Sequence, residues 1–156
     1  MTKRAVVLAG LVFAAVASAD VAVPPQPVDE ADPSSLAQKI KLDGRVILHR
    51  LLFQTGRPEL LPEATPILES IRKLLVADPT LRLRIEGHTD GRGATEWNQL
   101  LSSQRASAVL GWLVDHGIAT ARLEALGVGK SRPVATNQSE VGRSANRRVE
   151  LVKLGR

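Results

Sequence analysis

Cysteine is absent from this chain, so no disulfide can form and no thiol is present to carry a lipid. Aromatic residues are almost as scarce: Phe13, Phe53, Trp97 and Trp112 are the whole set. That leaves no basic face interleaved with stacking rings, the surface that nucleic acid binding uses. No long hydrophobic run exists either. The longest, Ala5 to Val16, has twelve residues, short of the roughly 20 a spanning helix needs. No succession of alternating ten-residue strands suggests a membrane barrel. Charge is only mildly one-sided: the formal net value of +5 becomes +3 without Lys3 and Arg4, which weakly favours anionic partners.

What is present begins with an export pattern. Lys3 and Arg4 form a basic start, Ala5 to Val16 an apolar stretch, and Ala17-Ser18-Ala19 supplies small residues before Asp20. This predicts a signal peptide over 1–19, cleaved after Ala19, and a periplasmic product. Residues 20–44 hold Pro24, Pro25, Pro27 and Pro33 and read as a linker, with a short helix from Ser34 to about Lys41. The domain proper is expected over 45–154.

Within it, Val46 to Phe53 is β-branched and apolar enough for a strand. Ile67, Leu68, Ile71, Leu74 and Leu75 share one face of a helix that starts at Pro62 or Pro66 and ends at Asp78-Pro79. Leu81, Leu83 and Ile85 alternate with Arg82, Arg84 and Glu86, predicting a strand with one buried face. A second helix runs from about Ala94 to His116, with Gly117 as its C-terminal cap. Arg122–Val128 and Arg147–Leu154 are further strands, and Ser131 to Ala145 is mostly loop with room for one short turn of helix. The order β-α-β-α-β-β is that of an α/β (α+β) two-layer sandwich with helices on one face of a mixed sheet.

The chemistry gathers between Gly87 and Ala106. On a wheel of about 100° per residue, Asn98, Ser102 and Arg105 form a polar line at the edge of the second helix's buried face. A polar group at such a rim is half desolvated, which strengthens its hold on a charged ligand. Taken alone, the same line fits surface polarity and a structural ion pair. Asp90 stands in Asp90-Gly91-Arg92-Gly93, just past a strand, where a turn is the ordinary reading. No second His, Cys or acid stands at metal-ligand spacing from His88, so no metal or cofactor is expected. A carboxylate and a guanidinium held together can grip a zwitterion, one taking the ammonium and the other the carboxylate.

Gly87-His88-Thr89-Asp90, Gly93, Asn98, Leu101-Ser102 and Arg105-Ala106 resemble, in order and spacing, the signature of the OmpA-like peptidoglycan-binding domain family (outer membrane protein A C-terminal-like). The resemblance extends from Phe53 through Pro62-Glu63-Ala64 to Asn137, Gly142-Arg143 and Asn146-Arg147-Arg148-Val149-Glu150. It implies the OmpA C-terminal-domain-like fold and non-covalent binding of Gram-negative peptidoglycan through the diaminopimelate of the stem peptide. By the same resemblance Asp90 takes the ammonium of that residue and Arg105 its carboxylate. Asn98 is a further binding position, Thr89 stands in the binding turn, and Arg147 is a second basic residue near the pocket. Gln54 to Arg57 and Trp97 depart from the usual pattern without touching the charged pair.

An enzyme fits poorly. Gly129-Lys130-Ser131 mimics the end of a phosphate loop, but position 124 is Glu and Pro133 prevents the helix that must follow. Gly142-Arg143-Ser144-Ala145-Asn146 lacks the second glycine of a nucleophile elbow, and no paired carboxylates stand out for wall hydrolysis. The rival reading is a protein-interaction or stator module in the envelope, with the Pro-rich segment docking a protein partner and wall binding secondary.

Overall fold

The computed structural model describes residues 30–49 and 53–155. The signal pattern and most of the Pro-rich segment lie outside them. The first element, α1 (Pro33–Asp43), falls in the stretch read as linker, and its Leu36 and Ile40 enter the core. Its cap is Asp32 rather than Ser34. The Asp32 carboxylate accepts from the backbone N–H of Ser34 at 3.0 Å and of Ser35 at 3.3 Å, while Pro33 at the first turn needs no donor. Gly44 closes the helix in the left-handed region, φ 67°.

The first strand, β1 (Arg45–Leu48), is shorter than the expected Val46–Phe53. Its ladder stops where its partner's begins, at the Leu48–Val149 pair. Phe53 returns only as an isolated bridge to Leu60 across the turn held by Gln54 and Glu59. Both prolines considered as the next helix start are used. Pro62 opens a 3-10 turn over Pro62–Ala64, and Pro66 sits in the first turn of α2 (Thr65–Ala77), where a missing N–H costs nothing.

After α2 come β2 (Leu83–His88), α3 (Thr95–Asp115), β3 (Leu123–Gly129), α4 (Glu140–Asn146) and β4 (Val149–Lys153). Arg122, expected in the third strand, ends a 3-10 turn instead. Its guanidinium donates to the carbonyls of Leu75, Asp78 and Leu81 and so caps the end of α2. The short helical turn expected between Ser131 and Ala145 is α4, which takes up the second half of that span and is capped by Ser139.

The four strands form a mixed sheet in the order β1-β4-β2-β3. β4 runs antiparallel to both neighbours, and β2 and β3 are parallel. Leu36, Leu48, Leu68, Ile71, Leu75, Leu83, Ile85, Val109, Leu113 and Leu151 make one core between the sheet and α1, α2 and α3. The expected two-layer sandwich is therefore what folds, and the two short helices outside its β-α-β-α-β-β order are α1 and α4.

The contact of α3 with the sheet depends on missing side chains. A Cβ on Gly87 would overlap the backbone carbonyl of Ser102, and one on Gly127 would overlap Ser103. Into this close approach fit two polar staples. Ser102 Oγ accepts the N–H of Gly129 at 2.9 Å, and Gln99 Nε2 donates to the carbonyl of Gly127 at 2.6 Å. Ser102 is fully buried there, so it belongs to the packing of α3 and not to an open polar rim.

Candidate functional site

β1 and the parallel pair β2 and β3 all end at one edge of the sheet, where β4 begins and α3 starts. Ligands in open α/β sheets bind outside this carboxyl edge, because side chains from several strand ends can converge there. A cleft of about 670 Å³ opens at that edge. Thr89, Asp90, Asn98, Arg105 and Arg147, the five residues singled out in the sequence, all line it. They come from the turn after β2, from two turns of α3 and from the residue before the Arg148 that leads into β4.

Asp90 is 7% exposed and already engaged. Its Oδ1 accepts the N–H of Arg92 at 2.9 Å. Its Oδ2 accepts from Arg147 Nη1 at 2.9 Å and from Arg92 Nη2 at 3.2 Å. Burial pushes its carboxyl pKa up, but the bonds from Arg92 and Arg147 together hold it below the usual range. Arg147 also donates to Glu140 Oε1 at 2.6 Å and is held firmly charged by that bond and by Asp90. Arg105 is half-buried. Its Nε donates to the carbonyl of Arg57 at 3.1 Å, and its guanidinium carbon stands 5.1 Å from the centre of the Phe53 ring. Burial and the Arg147 charge lower its pKa, while Asp90 opposes them; a guanidinium remains charged throughout. Around the cleft, Arg92, Arg105 and Arg147 face Asp90 and Glu140, a balance suited to a ligand with one cationic and more than one anionic group.

The loop that carries Asp90 is pinned residue by residue. Asn137 Oδ1 accepts the N–H of Gly91 at 2.8 Å, Asn98 Nδ2 donates to the carbonyl of Arg92 at 2.7 Å, and Lys130 Nζ donates to that of Gly93 at 2.9 Å. Asn98 thus lines the cleft with its amide turned to the loop, as the support that fixes the Asp90 backbone. Asn137 is held in turn by the fully buried Asn146, whose side chain also binds Val134, Ala135 and the carbonyl of Ala135. Thr89 is buried in the cleft wall, and its Oγ1 finds no hydrogen-bond partner among the described residues.

Directly behind the cleft lies a charged layer that alternation alone did not disclose. Glu86, expected on a solvent face, is 2% exposed, and His88, Arg148 and Glu150 are buried beside it. Arg148 Nε donates to Glu150 Oε1 at 2.7 Å. Arg45 and Arg132 lie 3.6 Å from Glu86 Oε2, and Arg45 lies 3.2 Å from Glu150 Oε2. Glu86, His88 and Glu150 bring ligand-type atoms within 4.8 Å of one another. Those two carboxylates already face Arg45, Arg84, Arg132 and Arg148, so a divalent cation would meet like charge and the donor set does not fit one.

His88 faces Glu86, Glu150, Arg148, Arg132 and Arg45 in this layer. Burial first, and the guanidiniums next, push its pKa down to about 4, with Glu150 opposing. The folded protein then carries a neutral imidazole where the unfolded chain, near 6.5, takes a proton. Stability rises with pH between those values and is lost on acidification through them, by up to about 3 kcal/mol. The melting temperature should drop between pH 7 and about pH 4.5, and the drop should be smaller in His88→Gln.

Arg92 and Glu140, the cleft residues that pair with Asp90 and Arg147, were not singled out in the sequence. Arg92 was visible only as part of a turn. Glu140 sat in a segment read as loop; its spacing from Arg143, at i+3, was the available sign of a helical turn.

The sequence profile described as OmpA family matches residues 52–147. A peptidoglycan-associated lipoprotein of Pseudomonas aeruginosa is 44% identical over 101 residues, 65% of this chain and 60% of that protein. The outer-membrane lipoprotein YfiB of the same organism is 38% identical over 103 residues, 66% of this chain and 61% of that protein. The chain thus spans about three fifths of the length of these curated relatives. The crystal structure of the peptidoglycan-associated lipoprotein from Burkholderia pseudomallei superposes with a TM-score of 0.60 at 31% identity, covering 70% of this chain and 89% of that one.

Proposed function

The chain belongs to the OmpA family, and from that premise we propose that it binds Gram-negative peptidoglycan non-covalently by gripping the diaminopimelate of the stem peptide. The observation that carries this reading is the convergence of Asp90, Arg105 and Arg147 on one cleft at the carboxyl edge of the sheet. Diaminopimelate adds a second α-amino acid head to the stem peptide. Its ammonium suits Asp90, and its carboxylate suits the guanidinium of Arg105 with Arg147 beside it. Thr89 lines the same wall, and Asn98 holds the loop in register. Wall polymers built on lysine lack the second carboxylate and leave the guanidinium side unpaired, which costs discrimination of a few kcal/mol.

The place of action is the periplasm, entered through the predicted signal sequence. Among the described residues no helix is long and apolar enough to cross a membrane. The role in this reading is binding rather than chemistry, with the charged groups Asp90, Arg147 and Glu140 paired with one another across the cleft.

Co-sedimentation of the protein from Asp20 onward with purified sacculi tests the reading. It should pellet with diaminopimelate-type wall and stay in solution with lysine-type wall. Equal pelleting with both, or none with either, overturns it.

A further inference from the structure

The charged grip occupies only part of the cleft. A volume of about 670 Å³ is the size that holds a drug-sized ligand, well beyond one amino-acid head. The cleft also has an aromatic side. Phe53 is half-buried against the core and lies under Arg105. Trp97 is different: it lines the same cleft from the first turn of α3, yet stays 53% exposed. Its neighbours in sequence on the buried side, Asn98 and Leu101, are covered. Trp97 therefore adds little to the core, and the largest side chain on this helix turn faces the cleft mouth. The other tryptophan of the described fold, Trp112, packs against the core and stacks on His116 with ring centres 3.7 Å apart.

We propose that Trp97 is the platform for a sugar ring of the glycan strand, so that the cleft reads both the stem peptide and the saccharide that bears it. This rests on the peptidoglycan reading above. The chemistry matches on both sides. A pyranose ring presents one face of C–H groups and an edge of hydroxyls. An indole presents a broad apolar face and one N–H donor at its edge. A rigid Trp at a cleft rim also loses little conformational entropy when it is covered, the property that makes tryptophan frequent among binding hot spots. The cation–π site of Arg105 uses the Phe53 face, which leaves Trp97 as the open ring for a neutral partner.

The test uses Trp112→Phe, which keeps an aromatic ring in the core and makes Trp97 the only tryptophan. This protein is titrated with free diaminopimelate, with a sugar-free stem peptide, and with the disaccharide form of that peptide. Trp97 emission should change on binding the disaccharide peptide and not the bare one. The disaccharide peptide should bind about five-fold more tightly than the bare peptide. In Trp97→Ala that affinity ratio should collapse to about one. A preserved ratio in Trp97→Ala, or an equal emission change with the bare peptide, overturns the proposal. An emission change with disaccharide, alongside no measurable binding of free diaminopimelate, would uphold the sugar platform while overturning the charged grip.

Discussion

Asp90→Ala is expected to abolish binding to diaminopimelate-type sacculi while leaving the domain folded. Removing one partner of a desolvated charge pair costs about 2–5 kcal/mol, a loss of some thirty-fold to several thousand-fold in affinity. The cause is specific. Without the carboxylate, Arg92 and Arg147 lose their shared acceptor, and an incoming ammonium meets guanidiniums. Asp90→Asn keeps the shape and removes only the charge, so an equal loss assigns the effect to electrostatics. Arg105→Lys should also fail, by at least ten-fold, because an ammonium cannot at once hold the Arg57 carbonyl, keep the Arg105 place over Phe53 and offer a fork to a carboxylate. Calorimetric titration with a diaminopimelate-containing muropeptide, run beside thermal melts, separates these losses from unfolding. Wild-type affinity in Arg105→Lys would show that the fork is idle.

Glu150→Ala should give the largest loss of stability among the charged positions. It strands Arg148, whose side chain is 2% exposed, with its principal acceptor gone. Breaking a buried pair from one side costs about 3–5 kcal/mol, enough to lower the melting temperature by 10 °C or more in a domain of this size. Arg132→Ala removes a neighbour whose side chain is 60% exposed and should cost about 1 kcal/mol or less. Replacing both partners, Arg148→Met with Glu150→Leu, should recover much of the loss, because an apolar pair needs no desolvation of charge. Chemical denaturation of the four proteins checks the order. A single Glu150→Ala as mild as Arg132→Ala would mean that the layer is better hydrated than its burial indicates.

How much of this was legible follows from the kind of signal each part carries. The helix face of Ile67, Leu68, Ile71, Leu74 and Leu75 was plain, because a 3.6-residue period is local and all five are buried. Strand lengths were not, because a strand ends where its partner ends: β1 stops opposite Val149, a hundred residues away. The fate of Ser102 was hidden for a similar reason. Its burial depends on Gly87 and Gly127 letting α3 descend onto the sheet, a contact no helical wheel contains. The alternation of Arg84 and Glu86 suggested a wet face, whereas Arg45 and Arg132 fold over it and Arg148 pairs beside it. Site residues were found through the family signature. Their partners Arg92 and Glu140 emerged only once the loop after β2 and α4 were placed side by side.

The strand order carries a consequence for how the molecule comes into being. β4, the last of the four described strands in chain order, is not an edge strand: it is inserted between β1 and β2. Until it arrives, β1 has no hydrogen-bonded neighbour and β2 pairs only with β3. A chain of this topology stays open until β4 docks, since the pairings that close it are the most distant in sequence and the slowest to form. Until then the facing edges of β1 and β2 stand exposed, which makes this interval the one in which aggregation competes with folding.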